Sequence, residues 1–238
     1  MNLKKNFFEQ LFTLRISLVK SLLIYLAVFA ALIPFSASIY DFFSEPLLQE
    51  LLNFNGSMIS TKLSATFMIP LKITAFTAFI IAYPLIFYNI WTFVAPGLYK
   101  QEKIFALVVF LLSFVLFILA ANFVYFLVFP VIFKFFIAMT PESIGLMIDM
   151  TSYLEMIIGL FLAFGIAFQI PLLLIVSVKF GLINRDAFKR NRSYFFVFAF
   201  IFGAIFTPPD ILSQLLLALP VYFLYELGIL ISKRWATN

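Results

Sequence analysis

Six apolar stretches, at about 18–39, 67–90, 104–127, 153–178, 193–207 and 211–231, account for more than half of this chain. A soluble core has no use for runs of this length. A hydrocarbon layer about 30 Å thick, in contrast, needs about 20 such residues per helix. With 64% hydrophobic and 11% charged residues, the chain has lipid as its main solvent. Within that layer every backbone polar group must be satisfied inside the protein, which selects helices. The pattern predicts an all-α integral membrane protein, with six transmembrane helices in a concave bundle and one domain over residues 1–238.

Residues 1–17 carry Lys4, Lys5 and Arg15 within a broken apolar pattern of Leu3, Phe7, Phe8, Leu11, Phe12 and Leu14. This reads as an amphipathic interfacial segment leading into a retained first span, because no small-residue cleavage site follows. The segments between spans form two sets. One holds the N-terminus, the 91–103 and 179–192 loops and the C-terminus, with 13 of the 16 basic residues. The other carries Lys62, Lys72 and Lys134 with seven acids. Positive charge collects on the cytoplasmic side, so both termini are expected inside. The net charge of +5 is then a topology signal, and nucleic acid is excluded as a partner because no soluble module carries the basic clusters.

Cys and His are both absent. Disulfides, thiolate chemistry and the commonest general base and metal ligand go with them. No Gly-x-Ser-x-Gly elbow and no mid-span pair of acids replaces them. The chain reads as a non-enzymatic protein with no cofactor and no metal site.

The last two spans are short. Ser193–Phe206 and Leu212–Tyr225 each hold 14 residues between charged neighbours. That is about 21 Å of helix. Either both helices extend past Arg192 and Glu226, whose side chains snorkel, or the hairpin thins the bilayer locally. Prolines punctuate the spans. Pro34, Pro70 and Pro130 read as helix ends; Pro84, Pro171 and Pro220 read as kinks that would curve the bundle. Gln169 sits mid-span and is expected either to hydrogen-bond a neighbouring helix or to meet a polar ligand. Asn122 reads as interhelical glue and Lys72 as an outward snorkeller. In the loop Trp91–Lys103, Pro96-Gly97 forces a turn and Glu102 offers a carboxylate that suits a bidentate arginine. A weak local pair with Lys100 or Lys103 is the alternative for Glu102.

Phe93-Val94-Ala95-Pro96-Gly97-Leu98-Tyr99-x-x-Glu102 resembles the first cytoplasmic loop of the TatC family, the multispanning receptor subunit of the twin-arginine translocase. Phe206-Thr207-Pro208-Pro209-Asp210-x-x-Ser213-Gln214 is similar to its last outer turn. Pro220 with Leu224-Tyr225-Glu226 resembles its sixth helix, Glu45-Pro46-Leu47 its first outer loop, and Phe164-Gly165 to Pro171 its fourth span. Any one motif is weak, but the ordered set covers nearly the whole chain.

The resemblance implies a receptor that binds paired arginines of signal peptides and helps move folded proteins across the membrane on the proton-motive force. TatA- and TatB-like single-span proteins would be its partners, in a complex containing several copies of the receptor. By the same resemblance, Glu102 receives signal arginine, with Glu9, Thr13 and Arg15 completing the binding region. Gln169, Gln214 and Tyr225 fall at partner-docking or intramembrane polar positions, and Pro46, Pro96, Pro208, Pro209 and Asp210 at structural turns.

This chain departs from the family's approximate His-Leu-x-Glu-Leu-Arg pattern in Gln10-Leu11-Phe12-Thr13-Leu14-Arg15. Thr13 replaces the second signal-binding acid, and Glu9 lies four residues earlier on the same helical face. Gln169 replaces a buried Glu, and Ser17 stands in the region of a further Arg. These changes and the 35 Phe residues suggest a divergent member from a reduced bacterium or an organelle genome. Its membrane would be the bacterial inner membrane, or the mitochondrial inner or thylakoid membrane. A secondary transporter of a small solute is the alternative, since kinked helices and a midplane polar residue also suit one.

Overall fold

A helix satisfies all its backbone hydrogen bonds within one apolar run, as lipid requires, and helices dominate here. The computed structural model describes residues 2–235 except 53, 55, 96–98, 142–144 and 208–209, with side chains of 2–11, 94, 100, 101 and 235 left aside. Helix α1 (Asn2–Leu32) passes through a short 3-10 turn, Ile33–Phe35, into α2 (Ser36–Leu52). The expected amphipathic segment is thus continuous with the first span. Then come α3 (Ala65–Val94), α4 (Lys100–Phe123) and α5 (Phe129–Ala138). After them follow α6 (Met150–Ala167), α7 (Ile170–Lys179), α8 (Arg185–Arg190), α9 (Arg192–Phe206) and α10 (Ile211–Ser232). Among the described residues, five stretches are long and apolar enough to cross a membrane, and α9 is a shorter apolar helix.

The chain forms two compact units. One comprises residues 1–43 and 62–108, the other residues 44–61 and 109–238. In the first, α1 packs along α3. In the second, α10 packs on α7 and α9, and α6 contributes ten buried residues, including Phe161 and Phe164. Rings supply much of that core. Phe129 meets Phe161 edge-on at 5.3 Å, and Phe123 lies 5.4 Å from Phe164.

Some prolines act differently from expectation. Pro70 lies inside α3 and does not end it, whereas Pro84 and Pro220 sit inside helices, where the sequence placed them. Pro130 also fails to stop its helix. A π-helical turn, Val124–Val128, precedes it, and the Phe129 N–H reaches back five residues to the Val124 carbonyl. The extra residue gives the proline ring room one turn later. Pro46 is not in a turn but inside α2. Its missing N–H costs one hydrogen bond in a helix whose other bonds hold. Among the described residues, Pro34 and Pro171 mark breaks. At Pro171 the helix tightens, with Gln169 N–H bonding the Ile166 carbonyl, before α7 restarts.

The expected short hairpin is short in its first arm alone. Helix α9 has 15 residues. Helix α10 continues past Glu226 to Ser232, 22 residues in all, with Glu226 paired to Arg192. Two strands the hydropathy pattern does not reveal, β1 (Ser57–Ile59) and β2 (Met147–Asp149), pair in parallel with Ser57 opposite Met147.

Candidate functional site

Glu102 is the third residue of α4, after Tyr99 at the helix N-cap. Its Oε2 accepts the Tyr99 backbone N–H at 2.9 Å, the reach-back half of a capping box. The partly buried carboxylate is therefore held at a helix N-terminus, where the backbone dipole favours negative charge. One bond of this kind leaves further lone pairs on the same group. Pro96 lies outside the described residues. Thr13 and Arg15 are exposed on α1, in the same compact unit as Glu102. Glu9 lies on α1, but its side chain is outside those described.

Gln169 is fully engaged. Ser113 of α4 donates its hydroxyl to Gln169 Oε1 at 2.8 Å, and Gln169 Nε2 donates to the Ser113 carbonyl at 3.1 Å. This reciprocal pair is the interhelical glue that one sequence reading anticipated. Asn122 is not glue of that kind: it is exposed and donates to the Ile118 carbonyl of its own helix at 2.8 Å. Its position one turn before the π segment lets a short amide fold back onto local backbone.

The remaining sequence candidates belong to the hairpin. Gln214 donates to the Phe200 carbonyl at 3.0 Å, binding α10 to α9. Tyr225 is 3% exposed; it stacks on Phe195 at 3.8 Å and donates to the Phe188 carbonyl at 2.8 Å. Asp210 caps α10 by accepting the Ser213 N–H at 2.7 Å. Its Oδ2 and the Ser213 hydroxyl are buried without a partner among the described residues. Pro208 and Pro209 lie outside the described residues. Arg192 and Glu226 pair at 2.8 Å, so the two charges that bracket the hairpin share one end.

The Phe206 carbonyl at the end of α9 lies against Gly159, where a Cβ would be 3.6 Å away. Gly159 is nine residues into α6. At 1.5 Å per residue the hairpin turn is recessed by about 13 Å from the start of α6.

Three constellations escaped the sequence reading. Asn89 of α3 joins Ser17 and Ser21 of α1. Arg185 Nε donates to the Ile229 carbonyl at 2.9 Å, tying α8 to α10. Asp149 accepts the Thr61 hydroxyl at 2.7 Å and N–H at 3.1 Å, and caps α6 through Thr151 and Ser152. The Thr61 hydroxyl above all, helped by the N–H groups of Ser152, Thr61 and Thr151, holds the Asp149 carboxyl well below the usual carboxylate range despite an opposing desolvation larger than any one of those N–H bonds. An i, i+4 serine pair on the first span was the available signal for Asn89; the other two join residues 44 and 88 positions apart, which no local pattern reveals.

The helices, their internal polar seams and an oriented carboxylate at a helix start define a multi-pass membrane protein of the receptor or transporter class. Comparison with known proteins narrows this. The family model described as Sec-independent protein translocase protein (TatC) matches residues 9–220. The chain is 35% identical to the TatC of Escherichia coli K12 over 223 residues, 94% of this chain and 86% of that one. It is 39% identical to the TatC of Halothiobacillus neapolitanus over 95% of this chain, but spans only 62% of that relative's length. The TatC of Rickettsia prowazekii is 36% identical, with 96% of this chain and 92% of that one covered. A solved structure titled as the twin-arginine translocase receptor TatC matches with a TM-score of 0.80, 32% identity and coverage of 94% and 98%. This chain belongs to the TatC family of Sec-independent protein translocase proteins. That membership favours the translocase reading over the solute transporter and agrees with a non-enzymatic role.

Proposed function

We propose that this chain is the receptor of a twin-arginine translocase, lying in a bacterial inner membrane with both termini on the cytoplasmic side. It binds the paired arginines of signal peptides and, with single-span TatA- and TatB-like partners and further copies of itself, passes folded proteins across on the proton-motive force. The observation that carries this reading is the Glu102 carboxylate, fixed by the Tyr99 N–H at the first turn of α4. A preoriented anion there accepts a guanidinium without first losing side-chain freedom.

Signal recognition then begins at Glu102, with the α1 face of Glu9, Thr13 and Arg15 flanking it. Thr13 supplies a hydroxyl acceptor and no charge, so Glu102 carries more of the discrimination here than one of two acids would. Gln169, Gln214 and Tyr225 act inside the fold, and partner contact falls on the apolar surfaces around them.

Glu102→Gln separates charge from structure, because glutamine also serves the third position of a capping box. The expected result is at least about tenfold weaker binding of an Arg-Arg signal peptide, equivalent to about 1.4 kcal/mol, with unchanged thermal unfolding. Unchanged affinity in a binding titration with the purified protein would remove Glu102 from the site.

A further inference from the structure

Helix α1 presents mostly apolar side chains outward. From Phe12 to Leu32 its buried residues are Ser17 and Ser21. Both face Asn89 on α3. The Asn89 amide donates to the Ser17 carbonyl at 2.7 Å and to the Ser21 hydroxyl at 2.9 Å. The Ser17 hydroxyl donates back to the Asn89 carbonyl at 3.3 Å, and the Ser21 hydroxyl to the Ser17 carbonyl at 2.9 Å. Three bonds between helices and one within α1 thus close a clasp. Farther along, the Tyr25 hydroxyl donates to the Ala75 carbonyl at 3.3 Å.

Apolar contact in lipid is indifferent to small slides of one helix along another, since hydrocarbon replaces hydrocarbon. A clasp of directional bonds is not indifferent. Moving α1 by one residue, about 1.5 Å of rise and about 100° of turn, breaks all three interhelical bonds. Single buried polar contacts fix helix register in this way elsewhere. The location gives the register a use. Glu9, Thr13, Ser17 and Ser21 follow one another at intervals of four, along one ridge of α1. Asn89 stands near the end of α3, five residues before Val94, and Tyr99 and Glu102 follow in sequence.

We propose that the Ser17–Ser21–Asn89 clasp positions the paired-arginine site, setting the axial register of the Glu9–Thr13 ridge against the end of α3 that leads to Glu102. The proposal rests on the receptor reading and deepens it. Two guanidinium groups on adjacent residues need two acceptor regions at a fixed spacing, and the clasp is the contact that fixes one helix against the other. Ser17, Ser21 and Asn89 are positioning residues that touch no signal peptide themselves. They also suit Ser17 in the region where the resemblance implies a further arginine. A buried arginine would need a counter-charge there, whereas a serine needs only the amide it meets.

The test uses the full chain in lipid nanodiscs and fluorescent signal peptides bearing Arg-Arg or Lys-Lys. Asn89→Ala is expected to weaken Arg-Arg binding about tenfold and to erase most of the preference over Lys-Lys. A second variant, Ser21→Cys with Asn89→Cys, is joined by a short bismaleimide linker; the chain has no other cysteine to react. The linked form should regain the Arg-Arg preference, and the unlinked form should not. That rescue separates register from general stability. Wild-type affinity and preference in Asn89→Ala, or a linked form that fails to recover them, overturns the proposal. A wild-type protein indifferent to Arg-Arg against Lys-Lys would overturn the receptor reading itself.

Discussion

Between Phe12 and Leu32, α1 buries two residues, both serines, whereas α6 buries ten of its 18, nearly all of them apolar. The contrast holds across the two compact units. The first joins α1 to α3 by hydroxyls and an amide, and α1 leaves its apolar side chains exposed while α3 buries Ile69, Ile73, Ala78 and Ala82. The second closes around aromatic rings and glycines, with Gly165 against Phe117 and Gly228 against Pro171. Hydrophobic burial gives little net drive between helices already in hydrocarbon, so two other forces matter, directional bonds that set register and close packing that sets distance. Helix α1 is joined to α3 by the first, whereas the second unit adds dense packing to bonds such as Ser113–Gln169 and Gln214–Phe200.

If packing distance governs the second unit, added volume should harm it in proportion to what it meets. A Cβ on Gly228 would lie 2.9 Å from the Pro171 Cα, a backbone atom beside a helix break. One on Gly165 would lie equally close to Phe117 Cε2, the end of a side chain that can swing. Gly228→Ala is therefore expected to destabilise by about 2–3 kcal/mol and Gly165→Ala by about 1 kcal/mol. Unfolding in mixed micelles gives both values. Equal effects would mean that α7 and α10 separate as easily as a ring rotates, and the contrast between units would weaken.

The split between the units also explains what the sequence could tell. Apolar run length pointed to a helical membrane protein, because lipid imposes one requirement on every such segment, and the described residues hold five long apolar stretches and the shorter α9. It could not show that α4 continues through a π turn to Ala138, since hydropathy reads the hydrocarbon layer and not the helix beyond it. Pro46 was misread for a related reason: a motif near an outer loop looks like a turn until the helix is seen to run through it. Gln169 was legible as a buried polar residue, but its partner Ser113 was not. One serine among several gives no sign of which helix it faces. Strands β1 and β2, three residues each, are too short for a period to show. Glu102 stood out as a lone acid in a basic segment, while its backbone bond to Tyr99 needed the fold.

A middle-sized effect is expected at Asp149, where the second unit departs from its own rule and uses a carboxylate to join β1 to the start of α6. Its folded pKa lies below the usual carboxylate value, so the unfolded chain binds the proton first as pH falls. The stabilisation is whole above the usual carboxylate pKa and is lost only as pH drops through the lower folded value. Amide exchange of Ser57–Ile59, corrected for intrinsic rate, should thus stay slow at pH 7 and remain so through mildly acidic conditions. Asp149→Asn should speed it at every pH. Protection that vanishes between pH 6 and pH 5 would assign the link to some other group.

The smallest effect is expected where the second unit resembles the first, in a polar contact between helices. Arg192 and Glu226 pair at 2.8 Å across α9 and α10, but their side chains are 44% and 25% exposed. An ion pair with water at hand contributes under about 1 kcal/mol. Tyr222 adds a hydroxyl bond to Glu226 Oε1 at 3.1 Å, which orients the carboxylate without removing it from solvent. Helix α9 is held to α10 chiefly by Gln214 on the Phe200 carbonyl and by Phe195 stacked on Tyr225. Arg192→Gln should therefore lower stability by under about 1 kcal/mol, and added salt should shrink the difference further. Tyr225→Leu should cost more, because it removes both the stack and the bond to Phe188. If Arg192→Gln proves the more damaging of the two, charge and not ring packing holds the hairpin. The two units would then differ in which polar groups they use, and not in the kind of force that joins their helices.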